Sequence, residues 1–102
     1  MTQTDFLKRM GELYALNLEI SRKKNADYAN EDNAFQNFTS CQTYGIPVET
    51  AIMVRMTDKM SRIGNLIHRE GQVKDETILD TLSDLANYSM ILRMWLEHSR
   101  PK

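Results

Sequence analysis

The chain has 102 residues, of which 41% are hydrophobic and 26% are charged, and its formal net charge is −1. This length predicts a single domain, residues 1–102, near the size at which association between copies often adds to a modest core. The balanced charge argues against general nucleic-acid binding, which needs a clearly basic surface. The single cysteine gives no disulfide framework, and no run of about 18 apolar residues predicts a membrane span. We therefore expect a cytoplasmic protein without membrane contact.

A first amphipathic helix is predicted over about residues 4–25. Thr4 or Thr2 is placed to cap its first turn with a side-chain oxygen. The residues of its stripe recur at helical spacing and are Phe6, Met10, Leu13, Asn17 and Ile20, widened by Leu7, Tyr14 and Leu18.

The stretch NADYANEDNAFQNFTS, residues 25–40, interrupts this pattern. It is rich in Asn and Asp, which favour turns because their side chains compete for backbone groups. Its aromatic residues indicate an ordered loop rather than a linker. We predict a short helical turn near Phe35–Cys41.

Two further helices are predicted after residues 45–47. Pro47 suits the first helical position of a helix over about 48–69, and Gly71 follows its end. The last helix runs from about Asp75 to His98. The apolar seam of the second helix consists of Met53, Met56, Met60, Ile63 and Ile67.

No alternating apolar pattern long enough for a strand is present in the sequence. The predicted fold is therefore all-α, a small bundle of three main helices plus a short helical segment. Three amphipathic helices bury little by themselves, and the apolar seams of the second and third helices are wide. We therefore expect a homodimer or a larger homo-oligomer.

Acidic residues are concentrated on the last predicted helix. Glu76, Asp80 and Asp84 follow each other at four-residue spacing and therefore share one stripe. Like charges at this spacing repel by roughly 0.2–0.5 kcal/mol per pair on an exposed helix. A sequence selected for stability alone does not favour this stripe, so a cationic partner or ligand is expected for it.

The preceding helix carries the complementary charge. Off its apolar seam lie four cations and one anion, namely Arg55, Lys59, Arg62, Arg69 and Asp58. In one interpretation the basic and acidic stripes form ion pairs between antiparallel helices, as in a purely structural oligomer. In the other, Glu76, Asp80, Asp84 and Asp58 hold Mg²⁺ or Mn²⁺, while Arg55, Lys59 and Arg62 meet phosphate oxygens.

Four ordered blocks of the sequence resemble the nucleotide modification associated domain 1 family, a small helical family of bacteriophages and bacteria. The blocks are Lys24-Asn-Ala-Asp-Tyr28, Asn33-Ala-Phe-Gln-Asn-Phe38, Arg55-Met-Thr-Asp-Lys59 with Arg62, and Asp75-Glu76 with Asp80-Thr-Leu-Ser-Asp-Leu-Ala-Asn-Tyr88. The acidic helix is also similar to the third helix of the all-α NTP pyrophosphohydrolases, the MazG and dimeric dUTPase group. Those enzymes hydrolyse nucleoside triphosphates with Mg²⁺ held by acidic residues on two antiparallel helices.

The resemblance implies a MazG-like bundle that binds a nucleotide in the cytoplasm, the host cytoplasm if the protein is phage-encoded. If it is an enzyme, the expected activity is Mg²⁺-dependent pyrophosphohydrolysis of a nucleoside triphosphate or modified nucleotide. Asp84 would match the aspartate of the group's ExxD element, with Asp80 or Glu76 in place of its glutamate. These three acids are the predicted catalytic residues.

The chain departs from the enzymes on the preceding helix, where they place an EExxE cluster. This sequence has Arg55, Asp58, Lys59 and Arg62 there. The alternative is therefore a non-catalytic phage protein that binds and sequesters a nucleotide or a cyclic-nucleotide signal.

The predicted nucleotide contacts come from all four of these blocks. Lys24 would join the other cations at the phosphates, and a base could stack on an aromatic ring of the 25–40 loop. For Phe35 and Phe38 the competing interpretation is that they anchor the loop to the core, and Asn33 and Asn37 are equally suited to capping a helical turn. The predicted phosphate- and nucleotide-binding residues are Lys24, Tyr28, Asn33, Asn37, Arg55, Lys59, Arg62, Asn87 and Tyr88.

Overall fold

The computed structural model describes residues 1–28, 33–69 and 77–100, with side chains up to residue 26 in the first range. Four α-helices occur in these ranges: α1 (Gln3–Tyr28), α2 (Gln36–Thr39), α3 (Val48–Leu66) and α4 (Ile78–Ser99). A 3₁₀ helix, Ser40–Tyr44, joins α2 to α3. The described ranges contain no β-strand, so the all-α prediction is confirmed. None of these helices is long and apolar enough to cross a membrane.

Helix α1 begins as predicted and ends later. The backbone N–H of Asp5 donates to Thr2 Oγ1 at 3.1 Å, so Thr2 rather than Thr4 provides the cap. The helix continues to Tyr28, through residues that we predicted to be loop. Asn and Asp lower helix propensity by at most about 0.7 kcal/mol each, a penalty that packing of the last turns of α1 on α4 can offset.

The short helical segment lies where it was predicted, and aromatic contacts hold it. The Phe35 ring meets the Trp95 ring edge-to-face, with centroids 5.3 Å apart, and stacks on His98 at 6.0 Å. Phe38 is buried and meets Tyr88 edge-to-face at 6.2 Å. The interpretation that Phe35 and Phe38 anchor this segment is therefore confirmed. Gly45 ends the 3₁₀ helix with a φ of 75°, which favours glycine.

The core lies between α3, α4 and α2. Val48, Ile52 and Phe38 form its buried centre, and Ile52 is 0% exposed. The partly buried residues packed around this centre are Ala51, Met56, Tyr88, Ile91, Leu92 and Trp95.

The predicted seam of α3 is partly wrong. Met53, Met60 and Ile67 are more than half exposed, at 55%, 56% and 53%. The buried stripe instead passes through Val48 and Ile52 and shares Met56 and Ile63 with the prediction. Both stripes have three- and four-residue steps, and within one chain α4 covers only one of them.

The bounds of α3 and α4 differ slightly from those predicted. Helix α3 ends at Leu66 rather than 69, and Pro47 precedes it instead of occupying its first position. Helix α4 begins at Ile78, three residues after the predicted start. Gly71, Asp75 and Glu76 lie outside the described residues.

A capping box fixes the start of α4, and its removal should cost stability. Thr77 Oγ1 accepts the Asp80 backbone N–H at 3.1 Å, and Asp80 Oδ2 accepts the Thr77 N–H at 3.3 Å. We expect Thr77→Ala to lower the free energy of unfolding by about 0.5–2 kcal/mol, measured by urea denaturation. The control is Thr57→Ala, since the Thr57 hydroxyl only donates to a carbonyl of its own helix. Equal effects of the two substitutions would contradict the role of the cap.

Candidate functional site

The candidate site centres on Asp84, which receives ion pairs from two other helices. Asp84 Oδ1 lies 2.9 Å from Lys24 Nζ of α1, and Oδ2 lies 3.0 Å from Lys59 Nζ of α3. The Asp84 and Lys59 side chains are only 15% and 20% exposed, whereas Lys24 is half exposed. We call these three residues the Lys24–Asp84–Lys59 cluster. Its formal charge is +1.

The packing of the helices brings the cluster together. Lys59 lies on the same stripe of α3 as Met56 and Ile63. Its side chain is therefore largely buried, and its ammonium group reaches α4. Helix α1 runs antiparallel to α4, because Lys24 pairs with Asp84 while Asn87 Nδ2 donates to the backbone oxygen of Asn17 at 3.2 Å. This direction places the last turns of α1 beside Asp84.

The electrostatics of the cluster keep Asp84 ionised. Burial raises the pKa of the Asp84 carboxyl, but the hydrogen bonds and positive charges of Lys24 and Lys59 outweigh burial, and the pKa lies below its ordinary value. Asp84 is therefore a carboxylate at neutral pH. Each of its oxygens accepts from one lysine ammonium group.

Further cations extend the cluster along α3. Arg55 precedes Lys59 by four residues and Arg62 follows it by three, so all three residues lie on one side of the helix. Both arginines are exposed. The predicted basic stripe therefore continues along α3 on both sides of Lys59, the residue that pairs with Asp84.

The other predicted metal ligands do not gather at Asp84. Asp80 caps its own helix, and Asp58 is exposed on α3. Across residues 1–28, 33–69 and 77–100, no group of three or more His, Cys, Asp or Glu side chains is arranged to hold a metal ion. Glu76 lies outside the described residues.

The described donors therefore do not fit Mg²⁺ or Mn²⁺. Each Asp84 oxygen accepts from a lysine ammonium group, so a metal ion bound at either oxygen would compete with a lysine. Two fixed positive charges beside the carboxylate also repel a cation. The predicted ion pairing between helices is, in contrast, present at Lys59–Asp84.

The predicted base-binding residues have local contacts of their own. Asn33 Oδ1 accepts the Phe35 N–H at 3.0 Å and Asn33 Nδ2 donates to Thr39 Oγ1 at 3.2 Å, so Asn33 shapes the turn before α2. Asn37 is exposed on α2, and Tyr88 packs against the core. The side chain of Tyr28 lies outside the description.

Two features of this region were not predicted. Trp95 Nε1 donates to Glu49 Oε2 at 3.2 Å and ties the start of α3 to the end of α4. Asn17 Oδ1 is buried at the contact of α1 with α4 without a hydrogen-bond partner among the described residues. The sequence signal for the buried Asn17 was its position as a polar residue within the apolar stripe of α1.

Comparison with known proteins gave no relative: no protein-family model, curated protein or solved structure matches the chain. The resemblance to the nucleotide modification associated domain 1 family therefore stays a prediction.

Proposed function

We propose that the protein binds a nucleotide by its phosphate groups at the Lys24–Asp84–Lys59 cluster and releases it unchanged. The observation that carries this proposal is the pair of ammonium groups held within 3.0 Å of one half-buried carboxylate. A lysine that is already positioned loses less side-chain entropy when a ligand arrives. The net positive charge of the cluster, with Arg55 and Arg62 beside it, attracts phosphate oxygens.

The two parts of the proposal have different support. Phosphate recognition is supported by the cations on α1 and α3. A nucleotide, rather than another phosphorylated molecule, is supported by the resemblance in sequence. The proposed partners are accordingly a nucleotide and further copies of the chain, and the proposed compartment is the cytoplasm.

Metal-dependent hydrolysis is the second candidate function. It is favoured by the spacing of Asp80 and Asp84, which places both carboxylates on one side of α4. The cap formed by Asp80 and the ion pairs of Asp84 favour binding without turnover instead. A sequestering protein is therefore the leading proposal.

A ligand screen separates these candidates. The melting temperature is measured with AMP, ADP, ATP, pyrophosphate and cyclic dinucleotides, each with Mg²⁺ and with EDTA, and the ligands are then recovered by chromatography. Binding adds RT ln(1 + [L]/Kd) to stability, so weak ligands register at high concentration. We expect a nucleotide to raise the melting temperature in EDTA and to be recovered intact. A Mg²⁺-dependent shift with release of pyrophosphate would indicate hydrolysis, and no shift would leave a purely structural ion-pair cluster.

Neighbouring lysines on α1 provide a matched pair of variants. We expect Lys24→Ala to weaken nucleotide binding about 10- to 150-fold, because a hydrogen bond to a charged group contributes about 1.5–3 kcal/mol. Lys23→Ala removes the same charge from an exposed position one residue away and should change the affinity less than about twofold. Titration calorimetry measures both. Equal losses would show that only net charge matters and would contradict a site at the cluster.

A further inference from the structure

The first half of α1 has no partner in the described part of the chain. Residues 3–16, which we call the free half of α1, are all exposed, whereas the half-buried residues of this helix begin at Asn17. The free half nevertheless carries large apolar side chains. The exposures are 49% for Phe6, 56% for Leu7, 39% for Met10, 40% for Leu13 and 60% for Tyr14.

These apolar residues form a stripe that is symmetric about Met10. Phe6 and Tyr14 lie four residues to either side of it, and Leu7 and Leu13 lie three residues to either side. Residues three and four apart share one face of a helix, so all five side chains lie together. Asp5, Lys8 and Glu12 lie on the opposite face, and Arg9 lies at the edge of the stripe beside Leu13.

The solvent-accessible surface of the chain is large for its mass. A compact monomer of 11.9 kDa exposes about 5,900 Å². This chain exposes 8205 Å², about 2,300 Å² more. Its radius of gyration is 15.7 Å, against about 12.8 Å for a compact domain of this length. The free half of α1 contributes part of this excess, and exposed apolar side chains of α3 and α4, such as Met53, Met60 and Leu79, contribute as well.

We propose that the free half of α1 pairs antiparallel with the free half of α1 in a second copy, around a twofold axis at Met10. Phe6 of one copy then faces Tyr14 of the other, Leu7 faces Leu13, and the two Met10 side chains meet on the axis. A twofold contact requires a self-complementary surface, which the symmetric stripe provides. The centre of this face carries no charged side chain, and Arg9 lies at its edge. The proposal is independent of the nucleotide site.

The oligomeric state tests this contact. Sedimentation analysis of the unmodified protein should give twice the chain mass or a multiple of it. Met10→Lys places a charge on the proposed axis and should raise the dissociation constant at least a hundredfold. Ala15→Lys places the same charge on an exposed position of the opposite face and should leave the mass unchanged. A monomeric unmodified protein, or a Met10→Lys protein of unchanged mass, would overturn the proposal.

Cross-linking shows whether the contact is the one proposed. With Cys41→Ser as background, oxidised Met10→Cys should form a disulfide-linked dimer, because twofold-related residues on the axis approach each other closely. Ala15→Cys should remain unlinked. An oligomer in which Met10→Cys does not cross-link would place the interface elsewhere. Loss of nucleotide binding in Lys24→Ala at unchanged mass would separate this interface from the binding site.

Discussion

Replacing Ile52 by alanine is expected to lower the free energy of unfolding by about 2–5 kcal/mol, the range for truncating a fully buried aliphatic side chain. Ile52 is 0% exposed and lies at the centre of the core that joins α3 to α4. The total stability of a small domain is only about 5–15 kcal/mol, so the loss is a large fraction of it. Urea denaturation followed by circular dichroism, at a fixed protein concentration, measures the difference.

Met53 provides the control for Ile52, because it is the next residue along α3 and is 55% exposed. Met53→Ala should change the free energy of unfolding of the isolated chain by less than about 0.5 kcal/mol. The comparison is made in the Met10→Lys background, in which the proposed contact between copies is absent. A mild effect of Ile52→Ala there would mean that the core has been placed on the wrong stripe of α3.

Replacing Asp84 by asparagine is the second substitution with a large expected effect. We expect it to lower the free energy of unfolding at pH 7 by about 1–3 kcal/mol, since it removes a half-buried acceptor of two charge-assisted hydrogen bonds. It also leaves Lys24 and Lys59 close together without a compensating charge. Urea denaturation of both proteins gives the difference.

The pH dependence of stability provides a second measure of Asp84. The folded pKa of its carboxyl lies below the unfolded value of about 3.9. Its ion pairs therefore stabilise the fold fully above about pH 4 to 5, and their contribution is lost as the pH falls through the folded pKa. The loss of stability below pH 5 should accordingly be smaller in Asp84→Asn than in the unmodified protein.

Asp58 is the matched control for this prediction, because it is an exposed acid on α3 outside the ion pairs described. Asp58→Asn should change stability by less than about 0.5 kcal/mol. If Asp84→Asn is equally mild, the ion pairs contribute as little as ordinary surface pairs. A stabilised Asp84→Asn protein would mean that repulsion along the acidic helix dominates the pairing.

The helices could be predicted from the sequence because each has a strong local signal. Periodic apolar residues mark α1, α3 and α4, and Thr2 marks a start. The buried stripe of α3 could not be predicted because two stripes of the same period share Met56 and Ile63. Periodicity shows where apolar residues lie, whereas the choice between Ile52 and Met53 depends on which side α4 covers.

The residues of the site could be predicted, whereas their pairing could be predicted only in part. The opposite charges of α3 and α4 predicted ion pairs as one of two interpretations, and Lys59–Asp84 is such a pair. Lys24 and Asp84 are sixty residues apart, and no spacing rule relates them. Their contact depends on how α1 packs on α4, a tertiary arrangement that local patterns do not specify.

Pairing with lysine also changes what Asp84 is expected to do. As a metal ligand it would bind a cation through one or both oxygens, and at either oxygen the cation would compete with an ammonium group. In the proposed function it is an anchor for two lysines that bind an anion. Binding at such a site should weaken as ionic strength rises, because its attraction for phosphate is electrostatic.

Titration calorimetry of ATP in EDTA, with the unmodified protein, Lys59→Ala and Lys59→Arg, tests the central claim most directly. We expect ATP to bind without metal, the affinity to fall about tenfold or more in Lys59→Ala, and Lys59→Arg to recover much of it because the positive charge is kept. Circular dichroism confirms that each variant is folded at the temperature used. No binding in EDTA, or an affinity that does not change when Lys59 is replaced by alanine, would contradict a phosphate site at the Lys24–Asp84–Lys59 cluster.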